Sequence, residues 1–363
     1  MSIFYKALFN DGNSMIYAQK NRILRFLDCG AVEVVFTIPV SWVTSLLMCS
    51  RLLTRIFRLG VYRAALHGHV YVVCCGGKLY SYDKITKKLE IELVFEKGRG
   101  PLSFCDASNV AGFGDTLYFG EYFSDANLDR IRILKRLSSG EWKTCYTFQE
   151  GRINHIHCLV PDAANNCIWI LTGDFGSAAA IYRSSDDFNN IELIVHGEQM
   201  YRACVAYPVP NGLLYATDSQ FERNSIRLLK QQGGVWVSEH LFDVNGPVIY
   251  GCELADYYVF STSVEPGEVK SNFICTLLDR TKGAGILRNQ VEIVAIEKVT
   301  MALIEVDTNP KDFWPANLFQ IGSAMFASPS SHNNQLFIYY TGTKNNEGQT
   351  KVIELSDDFT SWN

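Results

Sequence analysis

The chain has 363 residues, 47% of them hydrophobic and 20% charged, enough apolar side chain for a large buried core and not the make-up of a disordered chain. Its net charge is −5 and no Lys/Arg-rich run appears, so nucleic acid is not an expected partner. Eleven cysteines, an odd number without CxxC pairs, read as reduced thiols; Cys145, Cys158, Cys167 and Cys204 sit inside apolar runs.

The first twenty residues, MSIFYKALFNDGNSMIYAQK, lack a basic start, an apolar core and a small-residue cleavage site, so no secretory signal is expected and a cytoplasmic location is. Residues 41–59, SWVTSLLMCSRLLTRIFRL, open on Ser and space apolar residues as a helix does, with Arg51, Arg55 and Arg58 on one side. This predicts one inserted amphipathic helix. It packs on the rim of the fold with its arginines in water, or else lies on anionic lipid as a peripheral membrane contact. The apolar stretch that leads into it from Phe36 runs for about 14 residues, short of the roughly 20 a spanning helix requires.

From there a short phrase recurs. LYFG at 117–120, WILT at 169–172, LYAT at 214–217, VFST at 259–262 and IYYT at 338–341 each follow a Gly, Asn or Asp turn cluster, with weaker copies VYVVC at 70–74 and MIYAQ at 15–19. Between them lie short runs rich in Val, Ile, Tyr, Phe and Thr, such as KLYSYD, EWKTCYTF and VWVSEHLF, separated by GG, SSG or DD. Gly120, Thr172, Thr217 and Thr262 stand about 45–52 residues apart, the length of one four-stranded propeller blade. The expected fold is therefore all-β: a single β-propeller over 1–363, with seven blades of four-stranded antiparallel sheets and six as the alternative. The gap from Thr262 to Thr341 has room for an insertion. SIFYKALF at the start and KVIELSDD at the end are strand-like, so the first strand is expected to close the ring by pairing into the last blade.

If each repeated phrase is a second strand, the inner strand of the Thr172 blade is RINHIHCLV and that of the next is QMYRACVAYP. Alternation places His155 and His157 on one face. His157 lies 15 residues before Thr172 and Arg202 lies 15 before Thr217, which predicts equivalent depths on neighbouring blades. Acids follow the anchors: Glu121 in GEYF, Asp174 in TGDFG, Asp218 in TDSQFERN and Glu265 in TSVEPGE. A rim of acids beside His155, His157 and Arg202 is the expected site, although Asp also starts ordinary turns. No cofactor is expected; an HxH pair can hold a divalent metal, but no third histidine stands at a recognisable spacing, and His67 and His69 form a second HxH far off in blade order. No G-x-S-x-G and no GxGxxG is present.

YRSSDDFNNIEL at 182–193 and ELSDDFTSWN at 354–363 resemble the Asp-box hairpin S-x-D-x-G-x-T-W of sialidase-like propellers, with Ser184 and Asp186, and Ser356, Asp358 and Trp362, at the Ser, Asp and aromatic positions. The resemblance implies an arginine that holds a substrate carboxylate, a tyrosine nucleophile polarised by a glutamate, and an aspartic acid/base. Arg202, Tyr201, Glu121, Glu265 and Asp174 supply these types, with Asp218 and Tyr122 as further substrate contacts. The expected function is a glycoside hydrolase-like enzyme acting on an acidic or modified sugar of a surface polysaccharide. The alternatives are a polysaccharide lyase using His155 and His157 as base, and a non-catalytic glycan- or protein-binding propeller.

Overall fold

The computed structural model describes residues 2–3, 5–27, 30–123, 130–328 and 333–356. Among them, seven antiparallel sheets follow one another along the chain, and the fold is a seven-bladed β-propeller. The seven repeated phrases are the second strands of the seven sheets, among them Met15–Gln19, Val70–Cys75, Leu117–Tyr122, Cys167–Gly173 and Tyr257–Thr262. Their composition explains why. Cys167–Gly173 and Tyr257–Thr262 are buried at every position, so both faces of these strands need apolar residues and the phrase reads as an unbroken hydrophobic run. The outer strand Val235–Val244 instead alternates between exposed and half-buried positions over its first four residues.

The chain forms two compact units. One comprises Met1–Tyr62, Ser219–Asn224 and Phe242–Asn363. Its sheets are Lys6–Asn10 through Val32–Thr37, Val248–Glu253 through Leu303–Pro310, and Ser323–Phe326, Gln335–Thr341 and Thr350–Glu354 with Ser2–Ile3 as the fourth strand. In that last sheet Ser2 stands opposite Lys351 and Ile3 opposite Thr350, so the start and end of the chain share one blade. Val259, Ile293 and Ala295 of one sheet pack with Ala324, Ile338 and Tyr340 of the next to make a continuous apolar layer.

The other unit comprises Arg63–Asp218 and Ser225–Leu241. Here the blade built on Leu117–Tyr122 has an inner edge broken into two pieces, Gly100–Pro101 and Cys105–Asp106, both paired to that strand. It is followed by the blade of His155–Asp162, Cys167–Gly173, Ala180–Ser184 and Glu192–His196, and then by the blade that starts at Ala203–Val209. Trp169, Leu171 and Ile181 of the former pack with Ala206, Leu213 and Tyr215 of the latter.

The long gap after Thr262 is an insertion: a helix, Phe273–Leu278, sits between the second and third strands of that sheet. Residues 41–59 are not one helix but two short ones, Trp42–Leu47 and Arg51–Ile56, each started by a serine; Ser41 Oγ accepts from the Thr44 amide and Ser50 Oγ from the Leu53 amide. Nor do Arg51 and Arg55 belong to a free basic face. Arg51 Nη2 lies 2.5 Å from Glu347, and Arg55, buried, donates to Asp312 at 2.6 Å and to the Phe319 carbonyl at 2.7 Å. No helix among the described residues is long and apolar enough to cross a membrane.

Candidate functional site

A buried polar cluster occupies the inner-strand ends of two successive blades. In the first blade His155 stands opposite Gly173 and Ile156 opposite Thr172, but Cys158, not His157, stands opposite Leu171. His157 is thus the extra residue of a β-bulge. The next blade repeats the pattern: Ala203 stands opposite Thr217 and Val205 opposite Ala216, leaving Cys204 as the bulged residue. The structural equivalent of His157 is therefore Cys204, and that of Arg202 is His155, which corrects the equal-depth pairing of His157 with Arg202 by two residues.

The two imidazoles face each other, with His155 Nε2 2.9 Å from His157 Nε2. Asp174 Oδ1 lies 3.3 Å from the former and 3.4 Å from the latter. Arg202 Nη2 stands 3.1 Å from the same oxygen, while Arg202 Nε is 3.4 Å from Asp218 Oδ2. Cys204 Sγ donates to Asp218 Oδ2 at 3.2 Å. Gly173 makes room for this arrangement, because a Cβ there would collide with the His157 ring. The loop after it is tied at three points: Asp174 N donates to Asn154 Oδ1, Gln199 Nε2 donates to the Asp174 carbonyl, and the Arg202 guanidinium lies over the Phe175 ring.

Burial drives the His155 pKa below the free-imidazole value and so favours a neutral ring. Burial opposes ionisation of Asp174 too, but the polar groups that face it, the Arg202 guanidinium among them, outweigh it and hold the carboxyl well below its usual range. The Cys204 thiol is pushed far up by burial and by Asp218, and remains neutral. Only Asp174, whose side chain is 26% exposed, and the aromatic rings of Tyr122 and Phe175 bring the cluster to the surface. The Tyr122 ring packs against His155 with centroids 4.4 Å apart and the planes tilted by 52°.

The structure thus brings together His155, His157, Asp174, Arg202, Asp218 and Tyr122. Glu121 neighbours Tyr122 in sequence but is buried in another contact: it accepts from the Arg132 amide at 2.9 Å and from its guanidinium at 2.6 and 3.0 Å, with Arg99 at 3.5 Å. Tyr201 sits on the short 3-10 turn Gln199–Tyr201, packed against the apolar layer around Trp169 and Tyr215. Burial and the Glu198 charge raise its pKa, the wrong direction for a phenolate nucleophile. Glu265 belongs to the other unit, where it helps line a cavity of about 220 Å³ with Asp279, Arg280, Lys282 and Trp314. Cys204, expected only as a thiol in an apolar run, and Asn154, not expected here at all, complete the cluster; the bulge that places the first at the site leaves no mark in residue type.

No protein-family model matches the sequence, and no curated protein matches it. Solved structures do. A chain of the mitotic checkpoint complex aligns at 11% identity and TM-score 0.52, covering 98% of this chain and 89% of that one. The AfRom2 CNH domain aligns at 9% identity and TM-score 0.54, covering 100% and 96%. The Myceliophteria thermophila Cps50 (Swd1) β-propeller domain aligns at 10% identity and TM-score 0.55, covering 97% and 96%. At these identities the likeness establishes the fold, a seven-bladed propeller.

These neighbours overturn the sialidase-like resemblance. The reason is visible in the turn that suggested it: Ser184 Oγ donates to Asp186 Oδ1 and accepts from the Phe188 amide, and Asp186 accepts from the backbone and side chain of Asn190. Ser and Asp are there to satisfy a tight turn between two strands, a local requirement that any propeller can meet. Asp358 and Trp362 of the second copy lie outside the described residues.

Proposed function

We propose that this chain is a non-catalytic propeller that binds protein partners. The observation that carries the reading is the apolar surface on the helical segments of the first unit. Trp42 and Phe273 are each 78% exposed, and Leu46, Phe57, Ile274, Leu278 and Phe313 also face solvent. The helices Arg51–Ile56 and Phe273–Leu278 both pack on Ala316–Phe319, which supports treating much of this surface as continuous. Large exposed apolar side chains grouped in this way favour association over solvation, and aromatic residues of this kind dominate the energetics of protein interfaces.

The buried cluster supports the same reading from the other side. A two-carboxylate glycosidase needs both groups free to act on either side of a sugar bond. Here Glu121 is clamped by Arg132, Asp174 is shared by Arg202 and two imidazoles, and Asp218 faces Arg202 and Cys204. Among the structural neighbours, one is by name part of a protein complex.

The test is quantitative affinity purification of the full chain against Trp42→Asp/Leu46→Asp and Phe273→Asp/Phe313→Asp variants that keep the wild-type melting temperature. Stoichiometric partners depleted by these substitutions, together with no turnover of acidic oligosaccharides, are the expected result. Partners unaffected by both double variants, or turnover by the wild type, would refute the reading.

A further inference from the structure

The hydrogen bonds around the histidine pair fix where its protons sit. His155 Nδ1 lies 3.2 Å from the Phe123 carbonyl and His157 Nδ1 lies 2.9 Å from the Ala203 carbonyl. A carbonyl oxygen only accepts, so each Nδ1 carries hydrogen. An imidazole with a single N–H, held on Nδ1, presents a lone pair at Nε2, and a metal ion requires that form of both rings. Yet these two nitrogens are 2.9 Å apart, and a carboxylate oxygen, Asp174 Oδ1, stands 3.3 and 3.4 Å from them. Three acceptors converge on one point.

We propose that His155 Nε2, His157 Nε2 and Asp174 Oδ1 bind a divalent transition metal of the zinc class. The spacing suits it. Metal–ligand bonds of about 2.0–2.2 Å in a tetrahedral centre set neighbouring ligand atoms roughly 3.3–3.6 Å apart. Both carboxylate–imidazole separations fall in that range, and the imidazole pair needs to open by only a few tenths of an ångström. Two imidazoles and one carboxylate are the donors such ions prefer, where magnesium or calcium takes oxygen alone.

The surroundings match as well. Each imidazole donates its other nitrogen to a backbone carbonyl, the contact that orients a ligating histidine and sets its tautomer. Both rings are buried, and both are held by strand residues rather than by a loop. Asp174 is the exposed member, which gives the ion access from solvent and leaves a coordination position on that side. Asp218 Oδ1, buried nearby, accepts no hydrogen bond from any described residue, and Asp218, His157 and Cys204 offer a second, overlapping group of ligand atoms. A shared proton is the competing occupant, but a proton links two acceptors well and three poorly.

The experiment is a Co²⁺ titration of the chelator-treated full chain, followed by visible d–d absorption, with Zn²⁺ as competitor. One equivalent is expected to give the absorption and to be displaced by Zn²⁺. His155→Ala, His157→Ala and Asp174→Asn are each expected to weaken binding by at least the roughly 100-fold that loss of a ligand's supporting contact reaches. His67→Ala, at the separate His67, Asp106 and Asp115 group, is expected to leave it unchanged. No absorption in the wild type, or absorption that survives both histidine variants, would overturn the proposal. If the variants do not fold, imidazole ¹⁵N shifts of the wild type decide: Zn²⁺ moving both Nε2 signals supports the site, and no movement on Zn²⁺ addition overturns it. Partner binding through the helical surface is read in a different assay and stands or falls separately.

Discussion

His155 and Arg202 are register equivalents on successive blades, and their heads meet on one oxygen, Asp174 Oδ1, at 3.3 and 3.1 Å. Each immediately precedes the residue that stands opposite an anchor threonine, so the repeat itself aims them at the same acid. The cluster ties the two blades together at their inner edge.

Arg202→Leu is therefore expected to destabilise the chain. It leaves Asp174 and Asp218 without their cation in a largely buried setting, a loss of about 3–5 kcal/mol. Urea unfolding measures it; a change below about 1 kcal/mol would mean that Arg202 does not neutralise the pair.

Glu121→Gln is expected to act on stability and not on any turnover. The neutral amide loses the charge that holds Arg132 and Arg99, at a cost of about 3 kcal/mol. Thermal unfolding compared with Glu121→Gln/Arg132→Met separates the pair from general destabilisation, since the double variant removes both charges and is expected to recover part of the loss.

Gly173→Ala is expected to cost about 1–3 kcal/mol by overpacking, because the new methyl meets the His157 ring. Gly173→Ala in a His157→Ala background relieves the collision, so the two effects should not add. Additive losses would show that Gly173 is needed for some other reason.

His67 gives a pH dependence. Its pKa is raised above 6.5, chiefly by Asp106, whose carboxylate lies 3.7 Å from Nδ1, against the opposing effect of burial. Above pH 6.5 the unfolded imidazole releases its proton before the folded one. Stability from this pair is full below that value and falls as pH rises through the folded pKa. Denaturation midpoints between about pH 6 and pH 8 should decline more in the wild type than in His67→Gln; parallel profiles would contradict the assignment.

Blade number was legible because second strands such as Cys167–Gly173 and Tyr257–Thr262 are buried on both faces and so repeat the same kind of apolar phrase. The histidine pair was legible as well, since two-residue spacing on a strand needs no knowledge of the rest of the fold. The depth of Arg202 was not. Counting back 15 residues from each threonine assumes equal hairpins, whereas Ile156 stands 16 residues before its partner Thr172 and Ala203 stands 14 before Thr217. The roles of Arg51 and Arg55 were hidden for a different reason: their partners Glu347 and Asp312 lie 296 and 257 residues away in sequence. Charge patterning sees only neighbours.

The most direct test of recognition through the helical surface is hydrogen–deuterium exchange on the chain with and without a purified partner. Added protection is expected in residues 42–57, 269–280 and 313–319. Protection confined to the second unit, or none at all in these segments, would contradict it.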